Sequence, residues 1–104
     1  HNYGEILQLD LGVELVRGTD LDRALAAVQE VVQGNPRVLR EPAASIGVAA
    51  LGERSIRIAV KPWVKVADAV DAGGEINKGI VDAFRAAAIE YPAALREVPV
   101  MPNN

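Results

Sequence analysis

The chain has 104 residues, 50% of them hydrophobic and only 4% aromatic, with no cysteine and a formal charge of -3. That length holds one domain, and that apolar content excludes a natively disordered chain. The acidic balance argues against a nucleic-acid partner, which needs a basic face, and the missing cysteines exclude disulfides, thiolate zinc sites and a cysteine nucleophile.

No apolar run approaches the roughly 20 residues that span a bilayer, and the start shows no signal-peptide pattern. The chain opens HNYGE without a Met and is read as a piece of a longer protein. Residues 6–16, ILQLDLGVELV, then alternate: Leu9, Leu11, Val13 and Leu15 face one way, Gln8, Asp10, Gly12 and Glu14 the other. This predicts one half-buried strand, broken by Gly18.

TDLDRALAAVQEVVQGNP predicts a helix capped by Thr19 or Asp20, with Asp22 near its positive end. Leu21, Ala24, Leu25, Val28, Val31 and Val32 fall on one face; Gly34 and Pro36 stop it. Val38 and Leu39 are expected as a satellite contact. ASIGVAAL and SIRIAVK read as a hairpin turning at residues 51–54, with Pro62 ending its second strand before Trp63.

A second helix is expected from about Val66 to Ala88, burying Val70, Gly73, Ile76, Asn77, Ile80, Phe84 and Ala87. Gly73-Gly74 carries two propensity penalties in a row, which predicts a weakened or broken first half with firm helix from about Glu75. Residues 96–100, with Val98 and Val100 apolar, read as a short strand that Pro99 confines to an edge or to one-sided pairing. The order β-α-β-β-α-β predicts an α+β, ferredoxin-like sandwich, with two helices on one face of an antiparallel sheet. Trp63, Ile80 and Phe84 are its expected packing anchors.

No residue pattern announces chemistry. His1 is terminal, and a chain end rarely holds the partners that catalysis or metal binding needs. The carboxylates Asp20 and Asp22 are explained by capping, and Asp68 and Asp71 by the start of the second helix. GGEINKG lacks the order of a phosphate loop, because Lys78 precedes Gly79 and Ile80 follows it. The strands carry no aromatics to stack on RNA, and Thr19, Ser45 and Ser55 have no His or Asp arrangement to activate them. No metal ligand set, cofactor site or catalytic residue is expected, so the residues alone leave a small α+β module for assembly or ligand sensing.

The order of short motifs is more specific than any one of them. Asp10, Leu11 and Val13 are followed by Asp20-Leu21-Asp22, then Pro36, Val38 and Leu39, then Leu51-Gly52 with Ser55-Ile56, then Val60 and Trp63, and last Ile80, Phe84, Ile89 and Pro92. Over nearly the whole chain this resembles the C-terminal cytoplasmic domain of the small-conductance mechanosensitive channel family. It departs from that pattern at Ala88, where the family has Gly, at residues 93–95, and at Ala72-Gly73-Gly74, where relatives often carry bulkier residues.

The resemblance implies a homo-heptameric, tension-gated channel of the bacterial inner membrane that releases ions and small solutes on hypo-osmotic shock. This portion would be a structural, non-enzymatic part of its cytoplasmic vestibule, without cofactor, pore or nucleic-acid partner. Residues 1–4 would be the tail of a preceding β-domain, 5–95 the ferredoxin-like domain, and 96–104 a C-terminal strand and tail. Arg96, Glu97, Val98, Pro99 and Val100 would pair with other subunits. The isolated chain is expected to associate weakly at most. The alternative is a free-standing ferredoxin-like module that binds a small ligand.

Overall fold

The structure is a computed structural model that describes residues 5–89. Its elements are β1 (Ile6–Gln8), β2 (Leu11–Val16), α1 (Leu21–Gly34), β3 (Ser45–Leu51), β4 (Ser55–Lys61), β5 (Trp63–Lys65), a single 3-10 turn (Val66–Asp68) and α2 (Ala69–Ala86). The class is α+β, with two helices and antiparallel sheets.

β2, β4 and β3 form one sheet in that order, with Leu11 opposite Val60, Leu15 opposite Ile56 and Ile46 opposite Val60. Alternation puts Leu15, Ile58 and Val60 on the face that the helices cover. Ala24, Val28 and Val32 of α1 and Ile76, Ile80 and Phe84 of α2 close the core over them. Each large apolar side chain fully buried there contributes about 1.5–3 kcal/mol relative to leaving it in water. Phe84 is fully buried and Ile80 is 3% exposed.

The elements come in the order β-β-α-β-β-β-α; the strand expected at residues 96–100 lies outside the described residues. The first strand differs from expectation. It is split at Leu9-Asp10, and β1 pairs antiparallel with β5 in a second, two-stranded sheet. Pro62 ends β4 as expected, but the chain re-enters a strand at once, at Trp63, and the Pro62 carbonyl accepts the Leu9 N–H at 2.8 Å. Trp63 is half-buried opposite Gln8 in this small sheet, while the Leu39 N–H bonds the Trp63 carbonyl at 2.8 Å and Val38 bridges Val64.

α1 is capped by Asp20, whose Oδ1 accepts the Arg23 N–H at 3.2 Å. That makes Arg23 the third helical residue. Thr19 instead turns its hydroxyl onto the Val16 carbonyl at 2.6 Å.

α2 corrects two expectations. It runs unbroken through Gly73 and Gly74. Burial of Ala72 and Ile76 on either side of the pair outweighs its propensity penalty. Its buried row is Ala72, Ile76, Ile80 and Phe84, four residues apart, which turns Val70 outward to 87% exposure. The helix phase is set by its three largest buried side chains, and a position six residues before Ile76 points about 120° away from them.

Candidate functional site

The two helices are fastened at both ends by arginines. At one end Arg23 of α1 donates from Nη2 to the Ala87 carbonyl, just past α2, at 2.6 Å. At the other, Asn35 caps α1 and turns the chain: its Oδ1 accepts the Arg37 N–H at 2.8 Å, which sends the Arg37 side chain toward α2.

There Arg37 meets three carboxylates. Nη1 donates to Asp68 Oδ1 at 2.9 Å, Nε to both Glu75 oxygens at 3.2 Å, and Nη2 lies 3.8 Å from Asp71 Oδ2. The Asn35 amide adds a bond to Glu75 Oε1 at 3.0 Å. The acids recur at i, i+3 and i+7, which one flank of a helical segment brings into line. The Asn35 amide, then Arg37, hold the Glu75 carboxyl below the ordinary glutamate range. Glu75, then Asp68, push the Arg37 guanidinium further up.

This cluster is half-exposed, and its geometry is that of a latch between the helices. The sequence reading took Asp68 and Asp71 as ordinary first-turn acids and missed Arg37. The available signal was three acids aligned on one flank of the helical segment.

Other residues singled out in the sequence disperse. Lys78 donates to Asp82 at 2.6 Å, one turn along α2, and so holds that carboxyl below its ordinary range. Gly73, Gly74 and Gly79 all lie in helix, where no phosphate loop can form. Ser45 and Ser55 stand at strand starts. Arg96, Glu97, Val98, Pro99 and Val100 lie outside the described residues.

One half-open groove of about 650 Å³ runs between α1 and the segment leading into β3, with Val32, Val38 and Ile46 on its floor and Gln29, Gln33 and Arg40 along it. Among the described residues no His, Cys, Asp and Glu group is placed to hold a metal, and no helix is long and apolar enough to cross a membrane.

Comparison with known proteins follows the same outline. The family model described as "Mechanosensitive ion channel MscS, C-terminal" matches residues 9–91. An uncharacterized MscS family protein of Synechocystis sp. is 29% identical over 91 residues, which are 88% of this chain and 31% of that protein. The crystal structure of Helicobacter pylori MscS in its closed state superposes with a TM-score of 0.78 at 18% identity, covering 95% of this chain and 39% of that one. The chain thus spans about a third of the length of the curated relative it matches.

Proposed function

Because the chain belongs to the MscS mechanosensitive channel family, through that family's C-terminal domain, we propose that it is the cytoplasmic vestibule domain of a tension-gated channel. The observation that carries this reading is the family match across residues 9–91, which spans all of β2 to α2. The parent protein would be a homo-heptamer in the bacterial inner membrane, opening under tension to release ions and small solutes. This domain would serve assembly, and the fastening of its two helices by Arg23 and Arg37 suits a rigid wall. Residues 96–100 would complete the assembly by pairing with the same segment of other subunits, and Trp63, Ile80 and Phe84 would anchor the packing of each copy.

The test is patch-clamp of the full-length protein under suction. A tension-activated conductance is expected; its absence in membranes that contain the protein would overturn the reading. The isolated 104-residue chain should associate only weakly, since it spans about a third of the length of the curated relative it matches. A stable heptamer of the isolated chain in light scattering at micromolar concentration would contradict that expectation.

A further inference from the structure

The groove between α1 and the segment leading into β3, about 650 Å³, falls within the roughly 300–1,000 Å³ usual for small-molecule sites. Its apolar floor is preformed. Val32 is 1% exposed, and Val38, Ala44 and Ile46 pack against the same core cluster. The segment that forms its other side is anchored as well. The Leu39 N–H bonds the Trp63 carbonyl at 2.8 Å, Val38 bridges Val64, and Ser45 lies opposite Lys61 where β3 begins. Arg40 follows the Leu39 anchor directly and lines the groove.

Three polar side chains stand along this floor: Gln29 and Gln33, one turn apart on α1, and Arg40. None of the three has a hydrogen bond or ion pair with another side chain or carbonyl among the described residues. Arg17, Arg23 and Arg37, by contrast, are engaged with carbonyls or carboxylates of the fold. The chain carries 14 acidic residues, yet none of them lines this groove. Glu41, next to Arg40 in the chain, makes no ion pair with it. The depression beside the latch is different, because its Arg37 already holds Asp68 and Glu75. The groove therefore joins an apolar bed to one unengaged guanidinium and two free amides.

We propose that this groove binds a small monocarboxylate with an aliphatic body. The carboxylate accepts paired bonds from the Arg40 guanidinium, whose planar fork matches it, and the Gln29 and Gln33 amides donate to the lone pairs left over. The aliphatic body lies on Val32, Val38 and Ile46 and removes their surface from water. Charge selects this class. One guanidinium answers one negative charge, whereas a phosphate dianion calls for a second cation, and no other cation lines the groove. A cationic ligand would find no carboxylate there. The inference goes beyond the channel reading and does not depend on it.

The test uses the full-length protein in lipid nanodiscs, with empty nanodiscs as the baseline and a fluorinated hexanoate as the probe. In fluorine NMR the protein should broaden the probe line beyond the baseline, and unlabelled hexanoate should sharpen it again. Acetate carries the charge without the body, and should compete at least about tenfold more weakly, because each buried methylene is worth about fourfold in affinity. Hexanol carries the body without the charge, and should also compete about tenfold more weakly. Arg40→Gln removes the charge from an exposed side chain that bonds nothing in the fold, and should weaken probe binding about tenfold. Ala43→Phe, which fills the groove from an exposed position on its rim, should weaken it as well. Arg57→Gln, on the face of β4 turned away from the helices, should leave binding unchanged. No broadening beyond the baseline would overturn the site, and so would broadening that survives both groove variants. Equal competition by acetate would mean an adventitious ion only, and equal competition by hexanol an apolar surface only. Either result sinks the proposal.

Discussion

Gly79 of α2 lies against Val31 of α1 so closely that a Cβ added at Gly79 would sit 2.7 Å from the Val31 Cγ1 atom. This glycine lets the two helices come close, and Asn35 and Arg37 reach Glu75 one turn earlier on the same flank. Gly79→Ala gains helix propensity of about 1 kcal/mol but forces the helices apart or the valine out of its rotamer, which costs about 1–3 kcal/mol. The net expectation is destabilisation of about 1 kcal/mol. In a Val31→Ala background the same change should become stabilising, because the obstructing methyl is gone and the propensity gain remains. Urea denaturation of the four proteins reads the reversal of sign; two parallel losses would refute it.

Ala88 adopts φ of 57°, the left-handed conformation, at the end of α2. The Ala88 N–H bonds the Arg85 carbonyl at 3.2 Å and the Ile89 N–H the Phe84 carbonyl at 2.8 Å, the paired bonds of a Schellman cap in which glycine is usual. Holding alanine there costs about 1–2 kcal/mol. Ala88→Gly is therefore expected to stabilise the chain by about 1 kcal/mol. Ala26→Gly, in the exposed interior of α1, should destabilise it by about 0.5–1 kcal/mol. A thermal midpoint that moves the same way for both would contradict the cap.

Gly73 and Gly74 have open space where a side chain would go. Gly73→Ala and Gly74→Ala should each stabilise the isolated chain by about 1 kcal/mol through helix propensity alone. Loss of stability would show that something in this chain already fills that space.

Two carboxylates provide the pH dependence, Asp82 beside Lys78 and Glu75 at the latch, and mutation isolates the share of Glu75. Its carboxyl titrates below the ordinary glutamate range in the folded chain, through the Asn35 amide first and Arg37 second. A depressed folded value means that the native state prefers the ionised form. The stabilisation is complete above the ordinary glutamate value and is lost as pH falls through the lower, folded one. Arg37, shifted upward, adds no dependence below the arginine range. Glu75→Gln should therefore lower stability at neutral pH and flatten the decline in acid, where the two proteins converge. Curves that stay parallel down to pH 3 would show that the latch contributes nothing.

The elements legible in the sequence were those whose partners did not matter. α1 could be placed from Asp20, Gly34 and the spacing of Ala24, Val28 and Val32, because capping and a one-sided apolar stripe are local properties. The β3–β4 hairpin followed from alternation and one glycine turn. The break at Leu9-Asp10 was not legible, since alternation continues through it and only the pairing of β1 with β5 interrupts the sheet. Val70 was assigned to the core because a hydrophobic residue near a helix start fits several phases equally well until the large side chains choose one. Arg37 was missed for a related reason: its three acids lie 31 to 38 residues further along the chain, beyond the reach of any spacing rule.

The sequence by itself determined an α+β domain with an aliphatic core, the phase of α1, the hairpin, and the family to which the chain belongs. Each of these is carried by local periodicity or by the order of short motifs. Only the tertiary structure decided that α2 continues through Gly73-Gly74, that Gly79 meets Val31 of α1, that Arg37 latches the helices, and that Val70 points outward. Those outcomes depend on which surfaces meet across the fold, and burial of Ala72, Ile76, Ile80 and Phe84 overrides the local preference of two glycines.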